Sequence, residues 1–281
     1  MLECCEISKS YGKNIALKNF KYSFNNGIYA LLGPNGAGKS TLMNILVGNT
    51  KMTGGDCLYN DLSISKMPKS YRNDITFLPQ DLDGYPNFTV LEHMYYIGSL
   101  KEMKNETLIK QSKYLLKRLD LLKDKNKKIS QLSGGMKQRL LICATLLNFP
   151  KIIILDEPTA NLDPMQRIMV RNLLSEIKKD RIIIISTHIV SDIEYIADEV
   201  IFLKEGNIVL QGKVSQLINE TRKYLYTKVI DEDDLDDYLN KYKISSITRK
   251  NDKLELKIIG DSYSVEYCDA NLDDVYLQAM V

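Results

Sequence analysis

Gly33-Pro34-Asn35-Gly36-Ala37-Gly38-Lys39-Ser40-Thr41 stands directly between a short apolar run, residues 28–32, and a helical pattern over residues 39–47. The stretch fits GxxxxGK[ST], and a strand before with a helix after is the context that pattern requires. Glycines let the backbone wrap a polyphosphate, so that several N–H groups and the helix N-terminus point at it. Lys39 then neutralises phosphate oxygens and Ser40 supplies a hydroxyl for Mg²⁺. An ordinary glycine turn is the plain alternative, and the flanking strand and helix argue against it.

Three further apolar runs, residues 75–78, 152–155 and 182–185, are rich in Ile and Leu without polar alternation. Strands buried on both faces read this way, so the four runs predict a parallel sheet. Helical periodicity follows such runs at residues 39–47 and 165–178, which fits an α/β layered domain with functional loops at the strands' C-terminal ends. The run Ile152-Ile153-Ile154-Leu155 delivers Asp156 and Glu157 at such an end. Beside a phosphate loop, Asp156 is placed to hold Mg²⁺ and Glu157 to orient and deprotonate an attacking water. Alone, the pair would read as a solvated turn. Leu132-Ser133-Gly134-Gly135-Met136-Lys137-Gln138-Arg139 precedes an apolar helix expected to begin near Lys137. A serine and two glycines at a helix N-terminus form a second anion nest, or more plainly a helix cap.

The 281 residues suffice for one large or two modest domains. With 38 Lys+Arg against 36 Asp+Glu, the net charge of +2 gives no electrostatic reason to expect nucleic acid. Five cysteines, without CxxC or Cys/His ligand spacing, read as reduced thiols. Met1-Leu2-Glu3-Cys4-Cys5-Glu6 has neither a basic patch nor an apolar run, so no export leader or lipid anchor is expected. The longest apolar stretches, residues 140–147 and 182–185, fall far below the ~20 residues of a membrane-spanning helix. From about residue 86 to 150 the pattern turns helical, with Leu108, Tyr114, Leu115 and Leu119 on one apolar face. Beyond Gly212 come a polar helix, a strand at 224–230, an acidic helix from Asp231, the alternating Leu254-Glu255-Leu256 and a final helix near Asn271. Carboxylates crowding the first turns from Asp231 to Asp237 suit a helix dipole better than a metal, and His93 reads as structural.

Taken in order, these motifs resemble the nucleotide-binding subunits of ABC transporters over nearly all of residues 1–215. The resemblance implies an α/β P-loop NTPase core of ABC type over 1–215, with a helical subdomain inserted at about 86–150. A small C-terminal α+β domain would occupy 216–281. Residue by residue, Tyr11 looks like the aromatic that stacks on adenine, and Gln80 like the glutamine whose loop senses Mg²⁺ and the membrane partner. Asn161-Leu162-Asp163 resembles the loop across the dimer seam, and His188 the switch histidine that contacts the γ-phosphate.

Catalysis is thus expected from Glu157, His188, Gln80 and Lys39. ATP is expected on Tyr11, on Gly33, Pro34, Asn35, Gly36, Ala37, Gly38, Lys39, Ser40 and Thr41, and on Ser133, Gly134 and Gly135 acting from a second cassette. Mg²⁺ is expected on Ser40, Gln80 and Asp156.

The partners implied are an integral membrane permease and a second copy or related cassette, with no nucleic acid. The implied location is the cytoplasmic face of the cell membrane, peripheral through the permease. Tyr85, Phe88, Tyr95 and Tyr96, after Gln80, would form the groove where a permease helix docks. Met136 stands where the family most often has Gln. The Met-Lys-Gln-Arg form is familiar among its drug, antibiotic and lantibiotic exporters, and residues 271–277 resemble the closing helix of that group. Two alternatives are a cassette that serves no transporter and a nucleotide-binding regulator without turnover. Nucleic-acid members of the first class typically carry two cassettes in one chain or a long coiled-coil insertion, and this chain has neither; the second is opposed by Glu157 and His188.

Overall fold

The Ile- and Leu-rich runs become strands because only a two-sided core hides both faces of such a run from water. In the computed structural model, which describes residues 1–260 and 268–280, the chain begins with β1 (Leu2–Tyr11), β2 (Asn14–Phe24) and β3 (Gly27–Leu32). Next come α1 (Lys39–Leu46), β4 (Gly54–Tyr59), β5 (Leu62–Ser63), α2 (Lys69–Asp74) and β6 (Ile75–Leu78). Helices α3 (Val90–Leu100), α4 (Asn105–Arg118) and α5 (Gly134–Leu146) come after them. Then β7 (Ile152–Asp156), α6 (Pro164–Ile177), β8 (Ile182–Ser186), α7 (Val190–Glu194), β9 (Glu199–Lys204) and β10 (Asn207–Lys213) complete the larger body. The C-terminal part holds α8 (Val214–Arg222), β11 (Leu225–Ile230), α9 (Leu235–Lys241), β12 (Lys243–Lys250), β13 (Lys253–Ile259) and α10 (Leu272–Met280).

The central sheet has the order β10-β9-β3-β8-β7-β6. All pairs are parallel except β9 with β10, so the expected parallel sheet gains an antiparallel edge. Every residue of β3, β7 and β8 is buried. Alternation sorts them: Ile28, Ala30, Ile153 and Ile183 face a core shared with α5 and α6. Tyr29, Leu31, Ile154 and Ile184 face α1 and the second sheet. Each fully buried Ile or Leu contributes roughly 1.5–3 kcal/mol.

The second sheet, β2-β1-β4-β5, is antiparallel and has no counterpart among the strands expected from hydropathy. Its period-2 signal is broken by register shifts along β1, where Glu6 and, opposite, Asn19 take positive φ. Bulges of this kind hide a strand from alternation counting. On it, Cys4 and Cys57 are register partners with Sγ atoms 3.9 Å apart, both buried and free.

The helical segment is tied at both ends. Thr89 and Glu92 form a reciprocal cap on α3. At the far end of α5, Lys101 Nζ donates to the carbonyls of Thr145 and Leu147, each at 2.9 Å. Burial pushes this ammonium down to about 8, from an ordinary 10.5. His93 is buried, and burial lowers it too. α4 buries Leu108, Leu115 and Leu116, with Leu119 buried just beyond its end, so Leu116 belongs to the face and Tyr114 sits at its margin.

In the C-terminal sheet, ordered β11-β13-β12, Ile230, Leu254, Leu256 and Ile258 make a small core beside α9. The acidic run is spent on solvent and on exposed pairs, Asp231 with Lys253 and Glu232 with Arg249. Among the described residues this run forms no group of three or more His, Cys, Asp or Glu side chains placed to hold a metal. α10 does not stay with this small core. Its Leu272 and Val275 are fully buried in the larger one, against α7, α8 and β9. The closing helix expected within a 216–281 unit therefore packs on the cassette. Among the described residues no helix is long and apolar enough to cross a membrane.

Gly33 fixes how β3 meets its loop. Its φ is 150°, and a Cβ there would lie 2.1 Å from the carbonyl oxygen of Leu203 on β9. Backbone cannot yield as a side chain can. Gly33→Ala is expected to cost about 2 kcal/mol or more, read as a lowered denaturant midpoint at unchanged slope.

Candidate active site

The central sheet delivers its chemistry at the C-terminal ends of β3, β7 and β8, as an open parallel sheet does. A cleft of about 640 Å³ opens there. Asn35, Gly36, Ala37, Gly38, Lys39, Ser40 and Thr41 form one wall, with Tyr11, Gln80, Asp156, Glu157 and His188 around it. Gly33 and Pro34 lie at the root of the same loop, and Lys39 Nζ donates to their carbonyls at 2.7 and 3.1 Å. Burial lowers the Lys39 ammonium below its usual range, against the opposing pull of Glu157 and Asp156.

Asp156 ends β7 with its carboxylate buried. Ser40 Oγ donates to Oδ2 at 3.1 Å, and the Ser186 hydroxyl donates to Oδ1. Glu157, the next residue, has φ of 49°, a left-handed conformation disfavoured for a long side chain. Its N–H donates to the Ser186 carbonyl at 3.1 Å, which holds the strain in place. His188 Nδ1 lies 2.9 Å from Glu157 Oε2, and the His188 N–H donates to the same oxygen at 3.3 Å. The Glu157 side chain is 11% exposed and that of His188 68%, so the pair runs from the cleft floor to solvent. Tyr11 ends β1 half exposed, with Lys9 Nζ 4.7 Å from its ring centroid.

Ser133, Gly134 and Gly135 are not part of this cleft. α5 begins at Gly134, three residues earlier than expected, because Ser133 caps it by accepting the Met136 N–H at 3.3 Å. The glycines are thus its first turn. Gly135 passes so close to α6 that a Cβ would fall 2.4 Å from Gln166 Oε1. Gln138 donates to the Pro158 carbonyl at 3.2 Å, and the buried Arg139 donates to the Leu119 carbonyl. The nest is therefore fixed beside the loop of Asn161, Leu162 and Asp163, where Asp163 caps α6.

Of the four aromatics after Gln80, three meet. Tyr85 lies 5.1 Å from both Phe88 and Tyr96, and Phe88 lies 5.5 Å from Tyr96. Tyr95 packs instead on the larger core, because adjacent residues of a helix point about 100° apart. Its place is taken by His93, 6.1 Å from Tyr85, for which the sequence predicts only a structural part. Ser186 is absent from the expected site. A lone Ser ending a strand carries no pattern, and only strand pairing brings it to Asp156.

The family model described as ABC transporter matches residues 17–160. The uncharacterized ABC transporter ATP-binding protein YxlF of Bacillus subtilis is 34% identical over 89% of this chain and 84% of its own. The lantibiotic transport ATP-binding protein SrtF of Streptococcus pyogenes is 36% identical over 75% of this chain and 90% of its own. Among solved structures, the dimeric post-hydrolysis state of the ATP-binding cassette MJ0796, bound to ADP and Pi, superposes with a TM-score of 0.69. It is 28% identical and covers 76% of this chain and 98% of that one. A phosphate loop, an acidic strand end and a structural neighbour in a post-hydrolysis state agree: this chain belongs to the ABC transporter family and is one of its ATP-binding, ATP-hydrolysing subunits.

Proposed function

We propose that this subunit powers an exporter, working with a second cassette and driving a separate membrane permease from the cytoplasmic face. The observation that carries the hydrolytic half is the convergence of Lys39, the Ser40–Asp156 pair and the Glu157–His188 pair on one cleft. Ser40 Oγ and Asp156 Oδ2, hard oxygens 3.1 Å apart, suit a small divalent cation, and Gln80 lies on the same wall. Mg²⁺ bound there would neutralise charge on the β and γ oxygens.

The chain's own groups do the rest. Lys39, bonded to neutral carbonyls, offers its charge to the triphosphate. The loop N–H groups and the start of α1 cradle the phosphates. Glu157 orients the attacking water and takes its proton, while His188 holds the γ-phosphate end and keeps Glu157 aligned. Tyr11 supplies a face for adenine.

The nest at Ser133, Gly134 and Gly135 lies outside the cleft that holds the other elements, which supports its use on ATP bound to the partner cassette. Relatives named for lantibiotic transport, together with Met136-Lys137-Gln138-Arg139, support export. They give no support to a cassette that serves no transporter. Tyr85 and Tyr96, 47% and 37% exposed with their rings in contact, offer a rigid apolar anchor for a permease helix.

Three outcomes test this reading. Glu157→Gln is expected to keep ATP binding, to cut turnover by on the order of a hundredfold or more, and to trap an ATP-bound dimer on size exclusion. Hydrolysis within a few-fold of wild type moves the base elsewhere. Mixing a Ser133→Arg chain with a Lys39→Ala chain should restore activity that neither has alone, since each heterodimer then holds one sound composite site. Silence from a mixture shown to contain heterodimers rules out a shared site. Replacing Tyr85 and Tyr96 together with Ala should leave basal ATPase unchanged and abolish pull-down of the permease. Normal complex formation by the folded double variant discards this surface.

A further inference from the structure

His188 is mostly exposed and is held locally by Glu157, through its N–H and Nδ1. Helix α7 starts two residues later and is five residues long. A helix this short has no stability of its own, so its position is dictated by what packs on it. Toward α6, Asp192 faces Arg167 and Arg171 at 3.9 and 3.7 Å, beyond good hydrogen-bond range, and its buried Oδ2 has no hydrogen-bond partner among the described residues. Toward α10 the contact is tighter. Glu194 Oε2, at the end of α7, accepts the N–H of Leu272 at 2.9 Å, which caps the first turn of α10. Ile193 is buried in the same core as Leu272 and Val275.

α10 is itself anchored at both ends. Asp274 is fully buried, accepts Lys257 Nζ from β13 at 2.8 Å, and accepts the Ser245 hydroxyl from β12. It also exchanges hydrogen bonds with Asn271, its carboxylate accepting the Asn271 N–H at 2.8 Å and its own N–H donating to Asn271 Oδ1 at 3.0 Å. At the other end Lys204 Nζ on β9 donates to the Met280 carbonyl at 2.6 Å. The ring of Tyr276 lies 6.1 Å from that of Phe202, also on β9. β9 pairs with β3, the strand that feeds the phosphate loop.

We infer that α10 is a brace for the His188 loop, with Glu194 and Asp274 as its positioning residues, so that the small C-terminal sheet helps to set the geometry of the hydrolytic site. The inference rests on the role proposed for His188. It gives residues 271–277, a stretch that touches no part of the cleft, a task in turnover. Breaking the Asp274–Lys257 pair would leave a buried charge unpaired and free the N-terminus of α10. Breaking the Glu194 cap would uncouple α7 directly.

The test uses the full-length chain with Glu194→Ala, Glu194→Gln and Asp274→Asn, the first also in a His188→Ala background. Glu194→Ala is expected to lower kcat by on the order of tenfold, because a small misplacement of a reacting group is costly. KM for ATP should stay within about twofold, since the phosphate loop is untouched. Amide exchange at residues 187–193 should quicken by on the order of tenfold. Glu194→Gln keeps an acceptor for the Leu272 N–H and should restore both readouts. Asp274→Asn should move them in the same direction as Glu194→Ala. In the His188→Ala background, Glu194→Ala should take nothing further from kcat. Wild-type kcat and exchange in both Glu194→Ala and Asp274→Asn overturn the brace, and so does a loss that persists undiminished without His188. Should His188→Ala itself turn over normally, the role of His188 falls, and exchange at 187–193 alone then decides whether α10 braces the loop.

Discussion

A single buried carboxylate organises the cleft. Asp156 brings a carboxylate to a nearly dry position, which is costly unless its oxygens are hydrogen-bonded. The donors come from two other elements, Ser40 at the head of α1 and Ser186 at the end of β8. α1, β7 and β8 are therefore locked to one another at the floor of the cleft. Both donors are neutral hydroxyls, so hydrogen bonds are satisfied while the negative charge is not cancelled. On the function proposed above that residual charge would draw a cation, and it sits opposite a lysine held on carbonyls.

Most of this is legible in the sequence because it is local. The phosphate loop is contiguous, and its neighbours in the chain are the strand and helix that shape it. The acidic pair comes straight after an unmistakable Ile run. The hidden parts depend on pairing between distant segments. Ser186 finds Asp156 only through the register of β7 with β8. Bulges conceal the antiparallel sheet of β1, β2, β4 and β5, and α10 looks like part of the C-terminal appendage because its core partners lie on α7, α8 and β9. The start of α5 is hard to place because glycines lower helix propensity, whereas Ser133 as a cap outweighs them. Glu157 is the reverse case. Its identity is easy to read, yet nothing in the sequence says that its backbone is left-handed. Such strain persists only where the surroundings over-determine it, here through the Ser186 carbonyl.

The helical segment has its own logic. α5 carries a partial positive charge at the Ser133 end and a partial negative one beyond Leu146. The negative end is closed by Lys101, a cation brought from the end of α3, at a desolvation cost visible in its lowered pKa. The positive end is left open to solvent, with Gly134 and Gly135 presenting backbone. α3 also carries Tyr96 and packs directly on α5, so the aromatic cluster at Tyr85, Phe88 and Tyr96 and the start of α5 belong to one packed helical unit, with Lys101 closing its far end.

The small C-terminal sheet leaves β12 with no strand on its outer side among the described residues. Lys243-Ile244-Ser245-Ser246-Ile247-Thr248-Arg249-Lys250 is β-prone and mostly exposed, the kind of edge on which chains stack. Two cassettes held together by shared nucleotide would keep two such edges at high local concentration for their whole working life. The guard is at the ends of the strand. Lys243 at its start and Arg249-Lys250 at its close put long charged side chains at both ends of this edge, the last two paired with Glu232 and Glu255, and such charges disfavour the close stacking of a second strand. Side chains that take no part in the chemistry of the cleft thus serve the solubility of the subunit at this long, exposed C-terminal edge.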